Sequence, residues 1–73
     1  MSTPAWIAEV VAAVPPLASI SETGKALRKS KQTVRRLVRT GRLHGVRAVE
    51  SGSSPVLIPR ASIESYLRSL EVE

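Results

Sequence analysis

Gln32, Arg35, Arg36 and Arg39 stand at i, i+3, i+4 and i+7. If the segment is helical, that spacing puts all four on one stripe. Their chemistry is recognition rather than reaction. Arginine can fork onto guanine O6 and N7, and glutamine can pair with adenine N6 and N7. Ser30, Lys31 and Thr33 stand at the start of the same segment, with Arg28 and Lys29 just before it. Hydroxyls, cations and the free amides of a helix start suit phosphate oxygens. Arg42 and Arg47 continue the cationic series beyond it. A solubilising face normally mixes acids with bases to gain i,i+4 pairs. This stripe has no acid, so its cations repel one another until an anion binds. These residues point to double-stranded DNA.

Catalytic chemistry has little to work with. The 73 residues include one histidine, His44, no cysteine and no aspartate. No disulfide, thiolate nucleophile or cysteine-bound zinc is available. Ser62, Ser65 and Ser69 have no base beside them, so a serine nucleophile is not expected. The reading is of no enzyme, no metal, no cofactor and no small-molecule ligand. The net charge is +5, and its placement says more than its size. Glu22 and Glu50 bracket an acid-free stretch with nine of the eleven basic residues, from Lys25 to Arg47. The apolar run from Ala5 to Val14 is interrupted by Glu9 and is too short to span a bilayer. A cytoplasmic, nucleoid-associated protein is expected, with no membrane partner.

The elements that must carry the stripe can be read around it. Ser19-Ile20-Ser21-Glu22 fits the S-x-x-E capping box and opens a short helix ending near Arg28-Lys29. Gly24 inside that helix costs roughly 1 kcal/mol against alanine and is best tolerated where another backbone comes close. Ser30 caps the next helix, Lys31 to Thr40, with Val34, Leu37 and Val38 inward and Gly41 as its stop. Two short helices joined by about three residues form a helix-turn-helix. Leu43 to Val49 and Pro55 to Ile58 then read as a β-hairpin around Glu50-Ser51-Gly52-Ser53-Ser54, with Pro59 stopping the second strand. Ile63, Tyr66, Leu67 and Leu70 give a closing amphipathic helix. At the other end, Thr3 is expected as an N-cap and Pro4 at the first helical position. Trp6, Ile7, Val10, Val11 and Val14 follow at helical spacing until Pro15-Pro16 ends the helix. Its expected role is to enlarge a thin core; a self-association surface at Trp6 is the sharper alternative. The expected fold is mainly α with a small β-hairpin: a helical appendage over residues 1–16, then a winged helix-turn-helix over 17–73.

The run Gln32-Thr33-Val34-Arg35-Arg36-Leu37-Val38-Arg39-Thr40-Gly41-Arg42-Leu43 resembles the helix-turn-helix signature of phage excisionases and related MerR-like winged-helix proteins. Leu57-Ile58-Pro59-Arg60-Ala61-Ser62-Ile63-Glu64-Ser65-Tyr66-Leu67 resembles their closing segment. The resemblance covers about residues 17–70. It implies that the second helix enters the major groove and the hairpin wing reaches the adjacent minor groove. It makes the positions of Gln32, Arg36 and Arg39 base-directed, with Ser30, Thr33, Arg35 and Arg47 on or near the backbone. It further implies a recombination directionality factor that binds several DNA sites side by side, bends them and biases an integrase toward excision. The expected wing residues Ser51, Gly52 and Ser53 include no cation, so a backbone or water contact is expected there. Arg28-Lys29 stands where many relatives have a glycine and an apolar residue. A small winged-helix repressor is the alternative function. A basic protein-interaction module is the alternative from another class.

Overall fold

The computed structural model describes residues 4–47 and 55–70. Along the chain lie α1 (Ala5–Ala12), β1 (Leu17–Ser19), α2 (Ile20–Leu27), α3 (Lys31–Arg39), β2 (Val46–Arg47), β3 (Val56–Pro59) and α4 (Arg60–Leu70). Ser19 caps α2 as expected, and both arms of its capping box form. The Ser19 hydroxyl accepts from the Glu22 amide at 3.0 Å, and Glu22 Oε1 accepts from the Ser19 amide at 2.8 Å. Ser30 caps α3 by accepting from the Thr33 amide at 3.1 Å.

The first helix departs from expectation at both ends. Pro4 precedes it at φ −56 and ψ 146 instead of occupying its first position. Its carbonyl still accepts from the amides of Ile7 and Ala8. Thr3 lies outside the described residues. The helix stops at Ala12, and the amides of Ala13 and Val14 reach back only three residues, to Val10 and Val11. This tighter winding is a common way to close a helix end.

A lone hairpin is not what forms. The sheet has three antiparallel strands in the order β1-β3-β2. Ala18 lies opposite Ile58, and Val46 opposite Leu57. β1 has only three residues, entered from Pro16 and ending on Ser19, the α2 cap. So short a segment carries no alternation, and it is a strand only because β3 pairs with it. Pro59 is the last residue of β3 rather than its terminator, and α4 begins at once with Arg60. Leu43 was expected in the first strand of the hairpin. It sits instead before β2, its amide donating to the Leu37 carbonyl at 3.0 Å.

The core joins every layer. Ile7 and Val11 of α1 share one cluster with Val34 of α3, Ile58 of β3 and Ile63 and Leu67 of α4. Ile7, Val34, Ile58 and Ile63 are fully buried, each worth about 1.5–3 kcal/mol over exposure. The described part of α4 turns Leu70 outward at 44% exposure, so its inward stripe ends at Leu67. Arg60 ties the start of α4 to the segment that follows α1. Its Nε and Nη2 donate to the Val14 carbonyl at 3.0 and 2.6 Å, and its amide donates to Pro16. Among the described residues, four helices with a small antiparallel sheet make a mainly helical winged helix-turn-helix.

Candidate nucleic-acid interface

The turn between α2 and α3 sets the geometry of the site. Arg28 adopts the left-handed conformation, φ 57 and ψ 44. Its amide donates to the Lys25 carbonyl, and that of Lys29 to Gly24 at 2.8 Å. This pair of bonds is the Schellman closure usually built on glycine. A Cβ on Gly24 would lie 2.7 Å from the Lys29 carbonyl oxygen, so the glycine expected to admit a second backbone does so. The reversal needs no more than Arg28, Lys29 and Ser30 between the two helices.

α3 turns Val34 into the core, with Leu37 and Val38 half-buried. Lys31, Gln32, Arg35, Arg36 and Arg39 are exposed. Among the described residues no carboxylate lies within ion-pair distance of these four cations. The ion pair of the closing helix, Arg68 with Glu64 at 3.7 Å, shows what an ordinary solvated face does instead. Gly41 ends the helix at φ 82, and Arg42 donates to the Leu37 carbonyl at 2.8 Å.

Two clefts flank the start of α3. One, of about 470 Å³, lies between α2, α3 and β3, with Lys31, Arg35 and Arg39 on its wall. Ile20, Val38, Pro55 and Val56 give it an apolar lining. The other, of about 540 Å³, surrounds the turn and is bordered by Lys25, Arg28, Lys29 and Lys31. Among the described residues no acid lines either cleft. Such surroundings attract a polyanion by field as well as by contact.

A family model described as a helix-turn-helix domain matches residues 19–71. The chain belongs to this family. This helix-turn-helix family includes excisionase-like DNA-binding proteins, and its domains are typically non-enzymatic. No curated protein matches the chain. No helix among the described residues is long and apolar enough to cross a membrane.

Within the helix-turn-helix domain the expected site residues separate. Arg35 and Arg39 line the apolar cleft, whereas Gln32 and Arg36 line neither cleft. Arg28, Lys29 and Ser30 border the turn cleft, and Lys31 borders both. The Ser30 hydroxyl is already engaged with the Thr33 amide and hydroxyl. The amides of Lys31 and Gln32 therefore remain as the donors at the helix start. Arg42 is drawn toward α4, its guanidinium 5.7 Å from the centre of the Tyr66 ring. Arg47 lies on β2 opposite Val56, beside the apolar cleft. Ser51, Gly52 and Ser53 lie outside the described residues. His44 is an exposed loop residue whose amide donates to the Ser62 hydroxyl at 2.7 Å, which ties the α3–β2 link to α4.

Sequence reasoning overlooked Lys25 and Ser21 as members of the site. Both lie on the turn-facing side of α2 and line the turn cleft. Their spacing from Gly24 carried a signal, since i, i+3 and i+4 from Ser21 share one face of α2. The apolar lining had no such signal, because Ile20, Val38 and Val56 meet only in the fold.

Proposed function

We propose that the protein is a sequence-specific, architectural DNA-binding protein of the excisionase kind. α3 would lie in the major groove, with Gln32, Arg35, Arg36 and Arg39 toward the bases. Ser30, Lys31, Thr33, Arg28, Lys29, Arg42 and Arg47 would serve the phosphates, and the wing residues Ser51, Gly52 and Ser53 the neighbouring backbone. Several copies would bind attachment-site DNA side by side and bend it, directing an integrase toward excision. The protein itself would catalyse nothing. Trp6, 46% exposed on α1, would face a neighbouring copy in such an array.

The observation that supports this reading best is the acid-free, exposed face of α3 between two cation-bordered clefts. Footprinting on the attachment-site DNA of a candidate prophage, with a bending assay on the protected fragment, tests it. Adjacent protected sites and a bend are expected. A single palindromic site overlapping a promoter would favour a small repressor. Retention of a protein partner in excess duplex DNA would favour a basic interaction module.

A further inference from the structure

The two clefts meet. Ser21 and Lys31 line both, so one trough runs from the turn, past the starts of α2 and α3, to the end of the sheet. Lys25, Arg28 and Lys29 border it on the turn side, Lys31 at the waist, and Arg35 and Arg39 on the sheet side. Glu22, the acid nearest in sequence, is held against the Ser19 amide by the capping box.

The lining of the sheet side limits its occupant. The side chains of Ile20, Val38, Pro55 and Val56 offer no hydrogen-bonding group. Apart from a thymine methyl, a base edge is read by exchanging hydrogen bonds, which these four side chains do not supply. Deoxyribose carbons can pack on it while the cations at the rim meet phosphates. The α3 side chains divide in the same way. Lys31, Arg35 and Arg39 succeed one another every four residues and form one row on the cleft wall. Gln32 and Arg36 form the adjacent exposed row, outside the trough.

On the basis of the DNA-binding reading above, we infer that the trough holds the backbone of one DNA strand. Arg35 and Arg39 grip phosphates in it, and Lys25 and Ser21 belong to the same track. Base reading then falls to Gln32 and Arg36. This narrows the four-residue reading stripe proposed above to two.

Salt titration of the full chain on a random-sequence duplex, combined with selection from a randomised site, tests the division. Lys25→Ala, Arg35→Ala and Arg39→Ala should each make the log–log salt slope shallower by about 0.9, the value for one phosphate contact. They should leave the selected sequence unchanged. Gln32→Ala and Arg36→Ala should instead alter the selected sequence. Ser21→Glu places a carboxylate at the waist. An acid in the first turn of α2 is favoured by the helix dipole, so the fold should hold. Affinity for the random duplex should nevertheless fall about tenfold or more. An altered base preference in Arg35→Ala or Arg39→Ala with an unchanged slope overturns the inference. So does wild-type affinity in a folded Ser21→Glu variant. In both cases DNA binding itself still stands. If the wild-type chain binds no duplex, the proposed function falls, and this inference with it.

Discussion

The two helices of the helix-turn-helix are built alike and finished differently. α2 has eight residues and α3 nine; each begins on a capping serine, and each is closed by a left-handed residue. α2 has the full capping box, with Glu22 bonded back to Ser19, whereas α3 has the serine arm alone and no acid in its first turn. At the other end, α3 is closed by Gly41, while α2 is closed by Arg28. A left-handed residue with a side chain costs about 1–2 kcal/mol. The cost falls where the side chain adds a cation to the turn cleft. α2 is thus the fixed element against which α3 is positioned. Among the described residues α3 keeps its cations unpaired, and an internal acid there would compete with any polyanion drawn to them.

The largest expected effect strikes the joint between the two helices. In Gly24→Ala the new methyl would meet the Lys29 carbonyl at 2.7 Å, backbone against backbone. The turn would have to open, and urea unfolding should show a loss of about 2–3 kcal/mol. A loss under about 0.5 kcal/mol would mean that the turn is not closed by this approach. Next comes the interior of α2, where the Thr23 hydroxyl is fully buried with no hydrogen-bond partner among the described residues. Thr23→Val keeps the shape and removes the orphaned group, so the midpoint of unfolding should rise by the equivalent of about 1–2 kcal/mol. A loss of stability there would reveal a partner for the hydroxyl.

The starts of the helices should respond unequally. Ser19→Ala dismantles a two-way box and Ser30→Ala a single cap, so the first should cost about 1.5 kcal/mol and the second about 1. Equal losses would remove the distinction between a fixed α2 and a lightly capped α3. The smallest effect belongs to the closing residues. Arg28→Gly should stabilise the fold by about 0.5–1 kcal/mol while making the salt slope of DNA binding shallower. Gly41→Arg should destabilise it, because the left-handed strain then appears at the end of α3 as well. Thermal unfolding and a salt titration on one set of variants would settle whether Arg28 exchanges stability for binding.

Much of this was legible in the chain itself. The capping box at Ser19, the cap at Ser30, Gly41 and the Val34-Leu37-Val38 stripe are local patterns that act within one or two helical turns. α2 and α3 could be placed from them. The close approach at Gly24 was also readable, since a helical glycine is costly without such a reason. β1 was not readable. Leu17-Ala18-Ser19 is extended because Pro59, Ile58 and Leu57 lie beside it, and that pairing joins residues about forty positions apart. The clamp from Arg60 to Val14 was hidden for the same reason.

The candidate site divides along the same line. That a dense, acid-free set of cations sits on a helix-turn-helix and the strand after it follows from the residues alone. Composition and helical spacing suffice for that. Which of these cations share a cleft depends on the folded arrangement. The i, i+3, i+4, i+7 spacing places Gln32, Arg35, Arg36 and Arg39 on one stripe. The apolar cleft against Ile20 and Val56 then draws Arg35 and Arg39 to its wall and leaves Gln32 and Arg36 outside it. The physical reason is that a helix stripe is broad, and its sides become different environments only when another element packs along one of them.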